Sequence, residues 1–206
     1  MQTRDVHLYV CDTLADWEIG YAIAHINSPQ FQKQPGRYRV QTLGATKRPV
    51  TTMGGVTIVP DLALESWKPS ESALLILPGG DRWDRKEQQG VLEIARDLPA
   101  QGVPVAAICG ATAALAQLGL LDTRKHTSNA KQYLEMQPGY HGSAHYLEQP
   151  AVSDGNVITA GATGALTFAR AIFERLELYS ERVLSAWYGL YGTGEARYYF
   201  ELLQAA

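Results

Sequence analysis

The chain has few of the features that mark disulfide-bonded, metal-binding or secreted proteins. Only two of its 206 residues are cysteines, too few for a disulfide scaffold. Its N-terminal segment lacks the basic start and long apolar stretch of a secretion signal, which predicts a reducing, cytoplasmic location. No spacing of cysteine and histidine resembles a zinc site. We therefore expect neither a bound metal nor a cofactor.

Charge and hydropathy exclude two further classes of partner. The 18 basic and 21 acidic residues are mixed along the chain, with a formal net charge of -3. Because there is no basic block to neutralise a phosphate backbone, we expect no nucleic-acid partner. No apolar run approaches the roughly 20 residues that span a bilayer, so we expect no membrane partner. A hydrophobic content of 46% suits one domain over residues 1–206, with the aromatic-rich stretch 179–206 as its helical extension.

Segments typical of strands alternate with segments of helical spacing. The all-apolar run 73–77 ends in two glycines, a pattern typical of a strand buried on both faces of a parallel sheet. The sequence predicts strands over 5–11, 38–43, 73–77, 103–108, 125–127 and 156–159, a hairpin within 48–60, and helices over 16–25, 61–64, 86–98, 111–118, 129–136, 165–178 and 181–191, with Asp61 and Asn129 as caps. This alternation favours an α/β fold whose mostly parallel sheet is covered by helices on both faces. Ligand sites in such folds lie beyond the carboxyl ends of the strands.

One stretch carries the strongest indication of chemistry. Residues 107–112 read Ala-Ile-Cys-Gly-Ala-Thr, between an apolar strand and a helix-like run. Small residues on both sides of Cys109 suit a sharp strand-to-helix turn, so the pattern is that of a nucleophile elbow with cysteine in place of serine. We expect the helix N-terminus to favour the thiolate of Cys109. The alternative is a small buried cysteine that ends a core strand.

An acid follows the first strand. Glu18 lies near the start of the first predicted helix, where a carboxyl group is favoured by the helix dipole. If Glu18 were buried against the thiol, its pKa would rise and its protonated form could donate a hydrogen bond to Cys109. Asp16 is the competitor for this role, and its short side chain suits a helix cap equally well.

Other candidates also fall at predicted strand ends. Gly79 and Gly80 let backbone amides approach an oxyanion, together with the amide of Gly110, although they equally suit a plain tight turn. His126 is the candidate base, with a structural histidine as the alternative. Polar segments thus follow the first strand, the strand 73–77 and the helix after Cys109. Their joint placement at one edge of the sheet favours a functional site over a chance arrangement. Two further residues are candidates for the pocket wall: Cys11, for which packing is the alternative, and Thr112.

Taken together, these motifs resemble the ThiJ/PfpI superfamily over nearly the whole chain, from Val6 to about Leu178. The resemblance lies in Ala15-Asp16-Trp17-Glu18, Leu77-Pro78-Gly79-Gly80 and Ala106-Ala107-Ile108-Cys109-Gly110-Ala111. It implies a flavodoxin-like three-layer sandwich related to class I glutamine amidotransferases, and a homodimer. It also implies a reactive cysteine paired with a protonated glutamate, which are Cys109 and Glu18 by motif position, with His126 at or near the pocket histidine.

Three functions follow from this resemblance. The first is a cofactor-free, stress-related enzyme, glyoxalase- or deglycase-like, in which Cys109 attacks a small electrophile such as an aldehyde, a glycated adduct or an acyl compound. The second is a redox or stress sensor without turnover, in which Cys109 is oxidised. The third is an intracellular cysteine peptidase, against which Gly110 argues, because the peptidase branch has histidine there. A glutaminase is disfavoured because no histidine follows His145 to complete a late triad.

Overall fold

A seven-stranded sheet forms the centre of the molecule. The computed structural model describes residues 3–205. The strands of the sheet, in chain order, are β1 (Arg4–Tyr9), β2 (Tyr38–Gly44), β5 (Leu62–Ala63), β6 (Ser72–Leu77), β7 (Val105–Ile108), β8 (Ala151–Asp154) and β9 (Val157–Ala160), while β3 (Val50–Thr51) and β4 (Thr57–Ile58) form a separate hairpin. The spatial order is β5-β2-β1-β6-β7-β9-β8, and β8 alone pairs antiparallel with its neighbour in this sheet.

Helices cover both faces of the sheet. Their bounds are α1 (Asp16–Asn27), α2 (Gln89–Asp97), α3 (Gly110–Gln117), α4 (Lys131–Glu135), α5 (Ala165–Leu176), α6 (Glu181–Thr193) and α7 (Ala196–Gln204). One core lies between the sheet and α1, α5 and α6, and the other lies between the sheet and α2, α3 and α4. The expected flavodoxin-like three-layer architecture is confirmed. Within residues 3–205, no helix combines the length and the apolar character needed to cross a bilayer.

Strand β6 is the clearest case of sequence determining position. All its residues are buried, and its leucines and isoleucine are fully buried because both faces of the strand are covered by helices. It pairs in parallel with β1 on one side and β7 on the other. Full burial of such a side chain contributes roughly 1.5–3 kcal/mol, which fixes these strands at the centre of the sheet. The segments after β1, β6 and β7 consequently lie at the same edge.

Two short elements differ from the sequence prediction. Residues 61–63 are not helical: Leu62 and Ala63 form the edge strand β5, and the carboxylate of Asp61 accepts hydrogen bonds from the amide and hydroxyl of Thr42. Only a single 3₁₀ turn follows, over Leu64–Ser66. Residues 125–127 make only an isolated bridge between His126 and Tyr146. In both places tertiary contacts decide the local structure. The sequence interpretation missed the antiparallel β8, and because it ended its last helix at residue 191, it gave α7 only as part of the predicted helical extension 179–206.

The C-terminal aromatic residues divide between core and surface. Trp187 is buried, and its indole N–H donates to Nε2 of His25 at 3.1 Å. Trp187 also packs against the rings of Phe173 and Tyr191. Helix α7, in contrast, leaves Phe200 57% exposed. The aromatic residues of α6 therefore belong partly to the core, whereas α7 leaves some of its aromatic residues exposed.

The end of α5 gives a test of backbone strain. Glu177 follows the helix with φ of 51°, a left-handed conformation that favours glycine, and its side chain is exposed. We expect Glu177→Gly to raise the free energy of unfolding by about 0.5 kcal/mol, since relief of strain exceeds the entropic cost of glycine. Glu174→Gly, one turn earlier within the helix, is the control and should lower that free energy by about 1 kcal/mol. Urea denaturation measures both, and a loss of stability in Glu177→Gly would contradict this account.

Candidate active site

Cys109 occupies a strained turn between β7 and α3. Its backbone has φ of 56° and ψ of -122°, a combination that L-residues rarely adopt and that costs on the order of 1–3 kcal/mol. Its amide donates to the carbonyl oxygen of Ala160 at 2.9 Å, which continues the pairing of β7 with β9 to the last residue before the helix. The turn therefore presents the thiol at the carboxyl edge of the sheet, as a nucleophile elbow does.

Small residues permit this turn. A Cβ atom on Gly110 would lie only 2.6 Å from the carbonyl oxygen of Gly80 and 3.2 Å from Cδ1 of Trp83. Ala111 is fully buried behind it. Position 110 therefore has room for glycine alone, because the loop after β6 passes directly over the start of α3.

Thr112 supports the elbow from within the protein. Its hydroxyl donates to the carbonyl oxygen of Cys109 at 2.6 Å, and it also lies 2.6 Å from Oγ of Ser128. Since the only hydroxyl proton of Thr112 goes to Cys109, Ser128 is the donor to Thr112. Thr112 is fully buried, so it fixes the backbone of the turn and does not line an open pocket.

Glu18 is the acid beside the thiol. It is fully buried, and its Oε2 accepts a hydrogen bond of 2.7 Å from the amide of Gly79. A Cβ atom on residue 79 would overlap this carboxyl group, so glycine is required there. The other oxygen, Oε1, has no partner of ordinary hydrogen-bond geometry in the described part of the chain. The carboxyl group nevertheless lies close enough to Cys109 for each group to shift the pKa of the other.

Burial raises the pKa of both members of this pair. The pKa of Glu18 rises because the carboxylate loses its hydration, while hydrogen bonds from Cys109 and Gly79 act in the opposite direction. The pKa of Cys109 is also raised, first by burial, against which the amide of Asn129 acts, and further by the charge of Glu18. The amide of Gly110, at the N-terminus of α3, acts to lower the pKa of the thiol as expected, but burial outweighs it. A proton on Glu18 removes the negative charge that opposes ionisation of the thiol.

Asn129 is the site residue that the sequence interpretation missed. Its Nδ2 donates to Sγ of Cys109 at 3.3 Å, and its Oδ1 accepts from the amide of Ala162 at 2.9 Å. The bond from Ala162 fixes which end of the side-chain amide faces the sulfur. Asn129 does not cap α4, which begins at Lys131 after Ala130. The only sequence signal was its position in the segment 124–129, from which we selected His126.

His126 does not meet Cys109. The side chain is fully buried, with Nε2 2.8 Å from the hydroxyl of Tyr140 and Nδ1 2.7 Å from the carbonyl oxygen of Arg124. Both ring nitrogens are therefore occupied, and burial lowers the pKa of the imidazole. These contacts give a structural role and offer no support for His126 as the base.

Asp16 and Cys11 also lie apart from the thiol. The carboxylate of Asp16 accepts from the amide of Gly54 at 2.7 Å and so holds the β3–β4 hairpin against α1. Cys11 is buried and lines a different cavity, discussed below. Of the two acids proposed from the sequence, the structure brings Glu18 to Cys109.

The three glycine amides expected to bind an oxyanion differ in whether they are free to donate. Gly79 is committed to Glu18, so its amide is not free for an oxyanion. The amides of Gly80 and Gly110 have no backbone acceptor within residues 3–205. Gly110 is the first residue of α3, where such a free N–H is expected. The amide of Gly110 nevertheless faces the sulfur of Cys109 and acts to lower its pKa, so of the three amide donors expected from the sequence only that of Gly80 is without an acceptor in the described residues.

Space for a ligand lies beside Asn129, whose side-chain amide contacts the thiol, while neither Cys109 nor Glu18 is part of its wall. A cavity of about 420 Å³ is lined by Ser128, Asn129, Ala162 and their neighbours. The indole N–H of the exposed Trp17 donates to the carbonyl oxygen of Ala162 at 3.3 Å, which places this ring at the rim. In the part of the chain that the structure describes, no group of three or more histidine, cysteine, aspartate or glutamate side chains is arranged to hold a metal ion.

The two side chains beside the sulfur should shift its ionisation in opposite directions. At the alkaline pH at which the buried thiol titrates, the charge of Glu18 opposes its ionisation. Glu18→Gln removes that charge, so the pKa of Cys109 should fall and alkylation by iodoacetamide should reach half its maximal rate at a lower pH. Asn129→Asp keeps the acceptor for Ala162 but replaces the donor to the sulfur by a carboxylate, so the midpoint should move to higher pH. Mass-spectrometric alkylation rates across a pH series measure both. Midpoints that move in the same direction would refute the arrangement described here.

Comparison with known proteins agrees with this geometry. The sequence matches the DJ-1/PfpI family over residues 4–175. It is 42% identical over 205 residues to "Uncharacterized protease YoaZ" of Bacillus subtilis, covering 98% of each chain. It is 30% identical over 140 residues to "Deglycase PfpI" of Pyrococcus furiosus, covering 67% of this chain and 82% of that protein.

A solved structure extends the match to three dimensions. The crystal structure of the ThiJ/PfpI family protein from Bacillus anthracis superimposes with a TM-score of 0.94 at 44% identity, covering 100% of this chain and 98% of that one. Sequence and fold agree over nearly the full length. The chain belongs to the DJ-1/PfpI family.

Proposed function

We propose that the protein is a cofactor-free enzyme in which Cys109 attacks a small electrophilic carbonyl compound and Glu18 moves the proton. The observation that carries this proposal is the fully buried Glu18, with one oxygen held by Gly79 and the other unpartnered beside a cysteine in a strained turn. Such an arrangement costs stability, which favours a catalytic over a structural role. The similarity to a protein named a deglycase supports this class of substrate.

The proposed addition step is as follows. The sulfur of Cys109 bonds to the carbonyl carbon of an aldehyde, and the electron pair of the C=O π bond moves to oxygen. Glu18 takes up the thiol proton on one oxygen while the proton that it already carries passes to the carbonyl oxygen, which gives a neutral hemithioacetal. The amides of Gly80 and Gly110 donate to that oxygen as charge develops.

The surrounding groups supply position and selectivity. Asn129 donates to the sulfur and so favours the thiolate, because this bond acts to lower the pKa of Cys109. That cavity falls within the size range of small-molecule sites, about 300–1,000 Å³, and this supports a small aldehyde, a glycated adduct or an acyl compound. The peptidase hypothesis ranks third. The related YoaZ is named a protease, but no histidine of this chain hydrogen-bonds Cys109 within residues 3–205.

Redox sensing is the second candidate. The unpartnered oxygen of Glu18 favours it, because a protonated carboxyl group there could donate to an oxidised sulfur. Two equivalents of hydrogen peroxide would convert the thiol to sulfinic acid and yield two of water. Oxidation without turnover on any carbonyl substrate would support this candidate over the enzyme.

Turnover of methylglyoxal and of a glycated thiol tests the enzymatic proposal. We expect Cys109→Ala to abolish activity and Glu18→Gln to lower kcat by about 10²-fold or more, because glutamine cannot transfer a proton. Glu18→Gln should still be alkylated at Cys109, which separates proton transfer from nucleophile formation. Cys11→Ala is the matched control and should retain activity. Intact-mass measurement on the same samples shows whether the thiol carries an adduct or oxygen atoms. Full activity in Cys109→Ala would sink the proposal.

The expected homodimer and cytoplasmic location remain part of the proposal. Exposed apolar side chains on α6 and α7, including Tyr191, Tyr199 and Phe200, support a contact with a second copy. Both cysteines are free, as a reducing compartment requires. We expect sedimentation equilibrium to give twice the mass of the chain. A monomer at all concentrations would remove the dimer.

A further inference from the structure

A second cavity lies at the same edge of the sheet as Cys109 but is separate from it. It has a volume of about 390 Å³ and lies between three segments, 9–12 after β1, 45–50 after β2 and 82–88 after β6. Its wall includes neither Cys109 nor Glu18 nor Asn129. From β1 the chain first adds β2 and β5 on one side, and it then adds β6 and the later strands on the other side. The segments after β1 and β6 flank this change of direction, which is a common position for ligands in α/β sheets.

Arginine dominates the charge at this cavity. Arg48, Arg82 and Arg85 line it, together with the carboxylates of Asp12 and Glu87. Arg82 lies 4.0 Å from Asp12, so these two charges offset one another. Over residues 3–205, neither Arg48 nor Arg85 makes an ion pair or a side-chain hydrogen bond. Two free guanidinium groups against one carboxylate leave a net charge of about one positive unit, which matches a monoanion.

A buried amide adds a donor to the same wall. Gln88 is only 6% exposed and lines the cavity. Its Oε1 accepts from the hydroxyl of Tyr9 at 2.6 Å, so the orientation of the amide is fixed. Its Nε2 has no hydrogen-bond partner in the described residues, which leaves a directed donor beside the two arginines. This Nε2 is not one of the buried unpartnered atoms of the described residues, so it reaches open space, and the cavity supplies room for an acceptor there.

The remaining wall is neutral and partly apolar. Burial raises the pKa of the Cys11 thiol to about 12, so this side chain carries no charge that would repel an anion. Val10, Pro49 and Val50 supply apolar surface. The main chain is also held: the amide of Arg85 donates to the carbonyl oxygen of Arg82 at 3.1 Å, and the amide of Gln88 donates to Arg85. Arg82 and Arg85 therefore project from a turn of defined shape.

We propose that this cavity binds a small organic monocarboxylate, with its carboxylate between Arg48, Arg85 and the amide of Gln88 and its short apolar body against Val10 and Val50. Guanidinium forks suit the two oxygens of a carboxylate, and the single net positive charge favours one negative charge over two. The site is independent of the chemistry at Cys109, and it is large enough for a ligand of a few carbon atoms.

Titration of the full-length protein with sodium propionate, followed by ¹H–¹⁵N NMR at constant ionic strength, tests this site. We expect saturable shifts in segments 9–12, 45–50 and 82–88, with Kd on the order of 1 mM for so small a probe. Arg85→Gln and Arg48→Gln should each weaken binding about tenfold. Both side chains are exposed, so the fold should be retained, and thermal unfolding verifies this.

Two controls make the outcome decisive. Lys86→Gln removes the same charge next to Arg85 from a residue outside the cavity wall, and it should change Kd less than about twofold. Cys109→Ala should bind propionate as the wild type does, so failure of the proposed enzyme activity and failure of this binding site are distinguishable. Equal weakening by Lys86→Gln, shifts centred on Cys109, or no saturation by about 10 mM would overturn the proposal. Tighter binding of inorganic phosphate than of propionate would overturn its assignment to a monocarboxylate.

Discussion

The hydrogen bond from the amide of Gly79 to the buried carboxyl group of Glu18 is the interaction on which the site depends. It joins the end of β6 to the first turn of α1, directly beside the thiol. Without it, the carboxyl group would be buried with neither oxygen hydrogen-bonded, at a cost of several kcal/mol if ionised. With it, one oxygen is fixed and the other is left to interact with whatever Cys109 carries.

The same edge of the sheet contains three constraints that act together. The strained backbone of Cys109 is held by Ala160 on one side and by the hydroxyl of Thr112 on the other. The glycines at 79 and 110 remove side chains that would collide with Glu18 and with the loop after β6. Each of these features costs folding free energy when considered alone. Together they hold a partly exposed thiol and a buried acid at close approach.

Sequence reasoning could predict the parts of this arrangement that are local. The apolar run of β6, the small residues around Cys109 and the glycine pair are read through backbone sterics, and they predicted the fold and the strand-to-helix turn at Cys109. Selection between Asp16 and Glu18 was not local, since it depends on the hairpin that engages Asp16. Choosing between His126 and Asn129 failed for the same reason. Nothing in residues 124–129 shows that the hydroxyl of Tyr140 hydrogen-bonds the ring of His126, or that the amide of Ala162 orients the side chain of Asn129.

Asn129 donates one hydrogen bond to the sulfur of Cys109 and accepts another from Ala162. The surroundings of this sulfur therefore come from segments spread over most of the chain. Ala162 lies just after β9, Asn129 follows α3, Glu18 belongs to α1 and Gly79 follows β6, so the groups around Cys109 come from segments separated by up to 144 positions. Contacts of such long sequence separation form only when the whole sheet has assembled. The side chain of Cys109 is therefore surrounded by these groups only in the complete native fold. A folding intermediate that lacks β9 would expose an ordinary, unassisted thiol.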